Sequence, residues 1–271
     1  FGIEPSTVTL LAAILRRCKT KAQQSSARAL MLSASAMGDT SATFEIVSTA
    51  LRSNVIKYYQ GTLNRLHLIA KDGNQKAMML FGKVLFHEHS EAKSLCWLEK
   101  ATQPPSGSLE FDGAGEALVL KGRILKKYGD SIGAKAAFEK AAKDLNDPEA
   151  YFYLSQMEEN GSFNQESYLL KAATTGIIEA WYNLGVLELD KIQKSNLQPK
   201  KPEDYGMARE WFLVAAHGGN GPSMLNLAII YKLTLNLPQA LDWLNKAQLV
   251  PSTSIEAMRL KKEWNFSTET T

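Results

Sequence analysis

A short phrase returns five times along this chain, and its return limits the fold more than any other property. It reads Trp97-Leu98-Glu99-Lys100-Ala101, then Ala137-Phe138-Glu139-Lys140-Ala141, Tyr168-Leu169-Leu170-Lys171-Ala172, Trp211-Phe212-Leu213-Val214-Ala215 and Trp243-Leu244-Asn245-Lys246-Ala247. Its final Ala advances by 40, 31, 43 and 32 residues. A second phrase alternates with it, an Ala or Ser five residues before a small residue: Ala77/Gly82, Ala117/Gly122, Ala150/Ser155, Ala180/Gly185 and Ser223/Ala228. Self-similarity at a period of roughly 20–50 residues marks stacked units, none of which buries its apolar face alone. The expected fold is therefore all-α, a right-handed superhelical solenoid of antiparallel helix pairs. Such a scaffold presents a long surface instead of a catalytic cleft, so the chain reads as a non-enzymatic binding protein.

The two phrases explain each other through side-chain size. Gly82, Gly122, Ser155, Gly185 and Ala228 share one slot. A bulky residue there would hold the partner helix beyond the usual separation of about 8–10 Å. The large residues Trp97, Phe138, Tyr168, Trp211 and Trp243 are expected to fill the facing hollows. Gly inside a helix costs about 1 kcal/mol relative to Ala, so its recurrence implies that packing returns more than this.

Regular helix pairs begin near Thr62. Candidate helices run over 62–70, 75–88, 91–102, 116–128, 132–143, 148–160, 164–174, 178–190, 205–216, 222–232, 238–248 and 254–264. The breaker-rich segments 103–108 and 191–204 read as insertions, and they account for the two long intervals. Before Thr62 the helical pattern is irregular. Residues 1–61 are therefore read as a divergent N-terminal cap, 62–264 as the repeat array and 265–271 as a polar, fraying tail.

At Ala180-Trp181-Tyr182-Asn183-Leu184-Gly185-Val186-Leu187 the chain resembles the Sel-one-like repeat, a subclass of the tetratricopeptide superfamily. Ala208-Arg209-Glu210-Trp211-Phe212-Leu213-Val214-Ala215-Ala216-His217-Gly218-Gly219 is similar to the second helix of that repeat, and Ala70-Lys71-Asp72-Gly73-Asn74 to its junctions. The likeness covers about residues 62 to 260. It departs at Glu188, where Tyr is usual, and at Lys262, where a small residue is usual, so the last helix reads as a cap. The resemblance implies an adaptor or assembly factor whose partner is a protein or peptide. It also implies that the first helix of each pair lines the concave face.

On that face Asn183 and Asn226 stand two residues before the small residue of adjacent repeats. Asn carries both a donor and an acceptor, so a pair in register can hold an extended peptide backbone. The same spacing also follows if the repeat simply prefers Asn there. By the same register Met79, Lys83, Arg123, Phe152, Gln156, Tyr182, Val186, Leu225 and Ile229 border the groove. A second candidate is the basic cluster Lys191, Lys194, Lys200 and Lys201, placed in the second insertion. It reads either as a solvated loop or as a patch for an acidic partner or RNA.

Other chemistry finds little footing. His87 and His89 are two apart and point to different faces of a helix, while His67 and His217 lack a ligand partner nearby in sequence, so no metal is expected. No phosphate-cradling motif occurs, neither Cys18 nor Cys96 carries a nucleophile signature, and no cofactor is expected. Cys96, beside Trp97, reads as a small buried residue. Two separated thiols favour a reducing compartment.

Net charge is +3, too small to point to nucleic acid or membrane. RNA binding stays an alternative, weakened by Glu159 and Glu188 among the first helices. A lumenal adaptor of the secretory pathway stays another, because Asn160-Gly161-Ser162 and Asn265-Phe266-Ser267 are glycosylation triplets. From Pro5 to Gly38 there is no acidic residue. That stretch reads either as an ordinary first helix or as a transit-like composition, which places the mitochondrial matrix ahead of the cytoplasm among intracellular locations. No apolar run reaches the length needed to span a bilayer.

Overall fold

The structure, a computed structural model, describes residues 2–103, 108–195 and 198–266. Fifteen α-helices and two short 3₁₀ turns, with no strand, make up these described residues. They group into two compact units, residues 1–146 and 147–271. The tail at 267–271 and the breaker residues 104–107 lie outside the described residues.

In the first unit α1 (Pro5–Arg16) pairs with α2 (Lys21–Ala36), and α3 (Thr40–Arg52) with α4 (Gln60–Lys71). The next pairs are α5 (Gln75–His87) with α6 (Glu91–Thr102), and α7 (Ala114–Lys127) with α8 (Ser131–Leu145). In the second unit α9 (Pro148–Ser155) pairs with α10 (Phe163–Thr174), and α11 (Ile178–Lys194) with α12 (Gly206–His217). There α13 (Gly221–Leu233) pairs with α14 (Leu237–Gln248), and α15 (Ser254–Glu263) packs on α14. Each second helix also packs against the first helix of the pair that follows within its unit, as α4 does on α5 and α12 on α13.

Junctions between pairs are written by Gly-Asx steps. Gly38, Gly73 and Gly219 hold φ of 98°, 95° and 91°, a region that costs a residue with Cβ. The Asx that follows then caps the next helix. Asp39 Oδ1 accepts from the Ala42 amide at 2.6 Å, Asn74 Oδ1 from Ala77 at 2.9 Å and Asn220 Oδ1 from Ser223 at 2.8 Å. Asp147 does the same for Ala150 at 3.1 Å. Each cap satisfies one amide that the helix itself cannot. Ala77, Ala150 and Ser223 of the second phrase are thus the third residues of their helices, and their amides are the ones these caps satisfy.

The small slot packs as size dictates, with one correction. A Cβ at Gly122 would lie 2.5 Å from Phe138 Cε1, and one at Gly185 would lie 2.6 Å from Phe212 Cδ1. At Gly82 the facing atoms belong to Leu98, 3.0 Å from the same construction. The filling residue is therefore the second of the repeated phrase, namely Leu98, Phe138, Leu169, Phe212 and Leu244, all fully buried. Trp97, Tyr168, Trp211 and Trp243, expected in that role, stand one residue earlier, about 100° round the helix. Trp97 instead meets His67 and Phe81 edge-on at 5.7 and 5.4 Å, and Trp243 meets His217 at 5.9 Å. The indoles so join second helices of successive pairs. Burial, with Lys71 adding to it, holds the His67 imidazolium below its ordinary pKa and favours the neutral ring that stacks on Phe81.

Polar groups sealed into this packing have partners. Ser94 Oγ donates to the Gly82 carbonyl at 2.7 Å. Ser35 and Thr43 hydroxyls meet at 2.8 Å, and Arg65 Nε donates to Ser35 Oγ at 3.1 Å, tying α2, α3 and α4 together. Such satisfied contacts avoid the cost of a buried orphan.

Three local expectations change. Cys96 is exposed, because the buried stripe of α6 runs through Ser94, Leu98 and Ala101 and leaves position 96 on the opposite side. The helix expected over 148–160 ends at Ser155. Its hydroxyl turns back to the Phe152 carbonyl at 2.7 Å, and Gly161 (φ 78°) with Ser162 starts the next helix. The helix expected to stop at Asp190 continues to Lys194, and its last turn holds the Lys191–Glu188 and Lys194–Asp190 ion pairs.

Substituting Gly185 by Ala should cost about 1–3 kcal/mol through overpacking on Phe212. Gly61→Ala, where a Cβ meets only Arg65 Nη1 at 3.8 Å, should gain up to about 1 kcal/mol. Urea unfolding of both variants measures the contrast.

Candidate functional site

The candidate face is built on the first helices of the pairs. On α11 the residues Ala180, Leu184, Gly185 and Leu187 are buried, which leaves Tyr182 and Asn183 half-buried and Val186 exposed. On α13 the same register leaves Leu225 and Asn226 half-buried and Ile229 exposed. Tyr182 and Val186, or Leu225 and Ile229, are four apart and lie on one side of their helix, with the Asn beside them. The two repeats thus present the same trio: an apolar residue, an amide and an apolar residue one turn on. Neither the Asn183 nor the Asn226 side chain hydrogen-bonds to another described residue. Each amide keeps its donors and acceptor for another molecule.

The short α9 shows the same register with different chemistry. Phe152 is half-buried, its ring 6.0 Å from that of Tyr153, and Gln156 is exposed where the helix ends. Tyr182 leans on Phe212 with ring centroids 6.1 Å apart, which fixes its orientation.

In the first unit the corresponding helices enclose a cleft of about 690 Å³ between α3, α5 and the start of α7. Met79, expected on the border, is only 3% exposed and forms the floor with Leu80, its methyl end packed on Gly113 at the start of α7. Lys83 stands on the rim and pairs with Glu116. Lys76 pairs with Asp112 at 2.5 Å and lies over the Phe44 ring at 5.7 Å. Arg123 does not line this cleft; its guanidinium lies over the Phe86 ring at 5.6 Å. The cleft is therefore apolar below and ion-paired above. Sequence reading missed the contribution of Phe44, Glu45, Ser48 and Leu51 from α3, since that helix reads as part of an irregular cap. The signal was present, for Phe44, Ser48 and Leu51 recur at helical spacing.

The basic loop is not a loop cluster. Lys191 and Lys194 belong to the last turn of α11, where cations suit the helix C-terminus. Lys191 bonds Glu188 and Glu166, each at 3.0 Å, and Lys194 bonds Asp190 at 2.6 Å. The carboxylates of Glu188 and Glu166 hold the Lys191 ammonium above its ordinary pKa. Lys200 and Lys201 do lie in the connection, and their backbone amides donate to Asp204 Oδ2 at 2.9 and 3.0 Å. These bonds to the ionised form lower the Asp204 pKa.

No group of three His, Cys, Asp or Glu side chains that would hold a metal ion occurs among the described residues, and no helix there is long and apolar enough to cross a membrane. His217 Nδ1 is engaged with the Leu213 carbonyl at 2.7 Å. Of the two glycosylation triplets, Ser162 caps α10 through the Gln165 amide at 3.2 Å, and Ser267 lies outside the described residues.

No protein-family model matches the chain, and no curated protein matches it. Solved structures do. A protective antigen present in uropathogenic Escherichia coli strains, displaying an SLR fold, matches with a TM-score of 0.63 at 17% identity, over 90% of this chain and 53% of the other. The chain thus spans about half the length of that protein. A Sel1 repeat protein from Oxalobacter formigenes matches with a TM-score of 0.55 at 19% identity, over 96% and 87% of the two chains. The C-terminal part of a TPR repeat-containing protein from Cytophaga hutchinsonii matches with a TM-score of 0.54 at 12% identity, over 94% and 98%. At these identities the likeness shows the fold, a helical-repeat solenoid of the Sel-one-like and tetratricopeptide kind.

Asp204 should titrate below the usual carboxylate value of about 3.9. A depressed folded-state pKa means the Lys200 and Lys201 bonds persist above that value and are lost as pH falls through the lower one. Amide proton shifts of Lys200 and Lys201 should report that midpoint, and Asp204→Asn should abolish it.

Proposed function

We propose that this helical-repeat chain is a non-enzymatic adaptor that holds a peptide or helix of a partner protein against its first helices. The observation that carries the reading is the pair Asn183 and Asn226, amides in equivalent places of successive repeats with no partner among the described residues. An extended segment crossing α11 and α13 meets one amide per repeat. Each amide can accept from a backbone N–H and donate to a carbonyl, so the backbone is held without regard to its sequence. Tyr182, Val186, Leu225 and Ile229 then supply apolar contact for alternate side chains.

RNA binding would need free cations on these helices. Lys83 is paired with Glu116, and Lys191 with Glu166 and Glu188. That pairing removes two of the cations such binding would use, while the exposed Lys126 of α7 keeps no ion pair among the described residues.

The finer proposal is assembly or biogenesis of protein complexes, with the mitochondrial matrix ahead of the cytoplasm. It rests on the acid-free run from Pro5 to Gly38. The same residues build the α1–α2 hairpin, burying Val8, Ala12, Met31 and Ala34, so the run also has a structural use. Fractionation of native cells tests the compartment, and absence from the matrix removes that part.

Affinity capture from native cells tests the groove. The Asn183→Ala/Asn226→Ala variant should lose partners held by the unaltered chain while keeping its unfolding midpoint. For one purified partner peptide the weakening should be about tenfold or more, from about 0.5–1.5 kcal/mol per hydrogen bond. An unchanged set of captured proteins would overturn the reading.

A further inference from the structure

We infer that the cavity among the first three helices is a binding site for a small amphiphile with a single anionic head and an apolar body. It measures about 540 Å³, within the roughly 300–1,000 Å³ of small-molecule sites. Its wall is apolar: Ala12 of α1, Ala27 and Met31 of α2, and Ile46 and Ala50 of α3, all buried. Tyr58 and Tyr59, in and after the 3₁₀ turn that follows α3, close one side.

The head is chosen by charge. The cavity is lined by two cations, Arg16 and Arg28, and by one acid, Glu45. Glu45 is already neutralised, since it pairs with Arg16 and lies 4.0 Å from Arg52. Arg28 has neither an ion pair nor a hydrogen bond among the described residues. It stands on the same stripe of α2 as Ala27 and Met31, three residues before the latter, so its guanidinium borders the apolar wall. No residue from Pro5 to Gly38 is acidic, so neither α1 nor α2 can supply a counter-ion. A cation left uncompensated at an apolar cavity favours a ligand that brings one negative charge and buries a hydrocarbon body. Guanidinium–carboxylate pairing is the strong, oriented form of that contact. The site is lined by residues 12–59 alone and stands independently of the peptide reading for Asn183 and Asn226.

Titration of the whole chain with decanoate, read by methyl NMR at Met31 and Ile46, tests the site, with decan-1-ol as the neutral counterpart. Decanoate should move both methyl signals saturably and leave Met224 and Ile230 still. Binding should weaken by about tenfold or more for the alcohol and for Arg28→Gln, a substitution at an exposed position. Thr49→Trp, at an exposed point of the lining, should block the shifts. Three results would each overturn the proposal: no saturable shift below the micelle concentration, equal affinity in Arg28→Gln, or equal shifts at Met224 and Ile230.

Discussion

Everything in this fold depends on a close approach between one small residue and one large one. Where Gly122 meets Phe138, or Gly185 meets Phe212, no Cβ fits between the helices. That absence lets a pair of helices share one dry layer, and burying a side chain such as Phe212 is worth about 1.5–3 kcal/mol. At Gly82 the facing side chain is Leu98, and the corresponding Leu169 and Leu244 of the repeats with Ser155 and Ala228 are likewise fully buried. The glycines spend helix propensity, and packing returns it.

The same economy decides what the first helices offer to other molecules. Because the second helices take the buried face, residues on the other side of α11 and α13 are released from packing. Asn183 and Asn226 stay half-buried, yet make no hydrogen bond with the described chain. In the first unit most cations of the cleft rim have acidic neighbours within reach, as Lys76 has Asp112. Such exposed pairs add little stability, but they leave the rim near neutral and the floor apolar. Arg28 differs because its surroundings contain no spare carboxylate.

Much of the architecture was legible as pattern. Helix boundaries came within a few residues wherever a Gly-Asx junction and an apolar stripe agreed, as at Gly73-Asn74 and Gly219-Asn220. Failures came where a local signal was outweighed. Lys191 and Lys194 read as loop because prolines follow soon after, yet the helix runs on to Lys194, where both lysines pair with Glu188, Glu166 and Asp190. Cys96 read as core because Trp97 adjoins it, but adjacent residues on a helix point about 100° apart. Of the candidate face, the register on α11 and α13 was readable from spacing. The helical spacing of Phe44, Ser48 and Leu51 on α3 was readable too, but that they close a cleft with α5 and the start of α7 was not, because it depends on how those helices pack.

Sequence by itself determined that the chain forms paired helices with a small residue facing a large one, since periodicity and side-chain volume are properties of the residues alone. Only the tertiary structure decided which large residue enters the slot, which charges cancel and which amides stay unpaired. Those outcomes depend on distances between helices that are neighbours in space and not in the chain. A spacing names a face, but partners on another helix determine whether that face is filled, neutralised or left open.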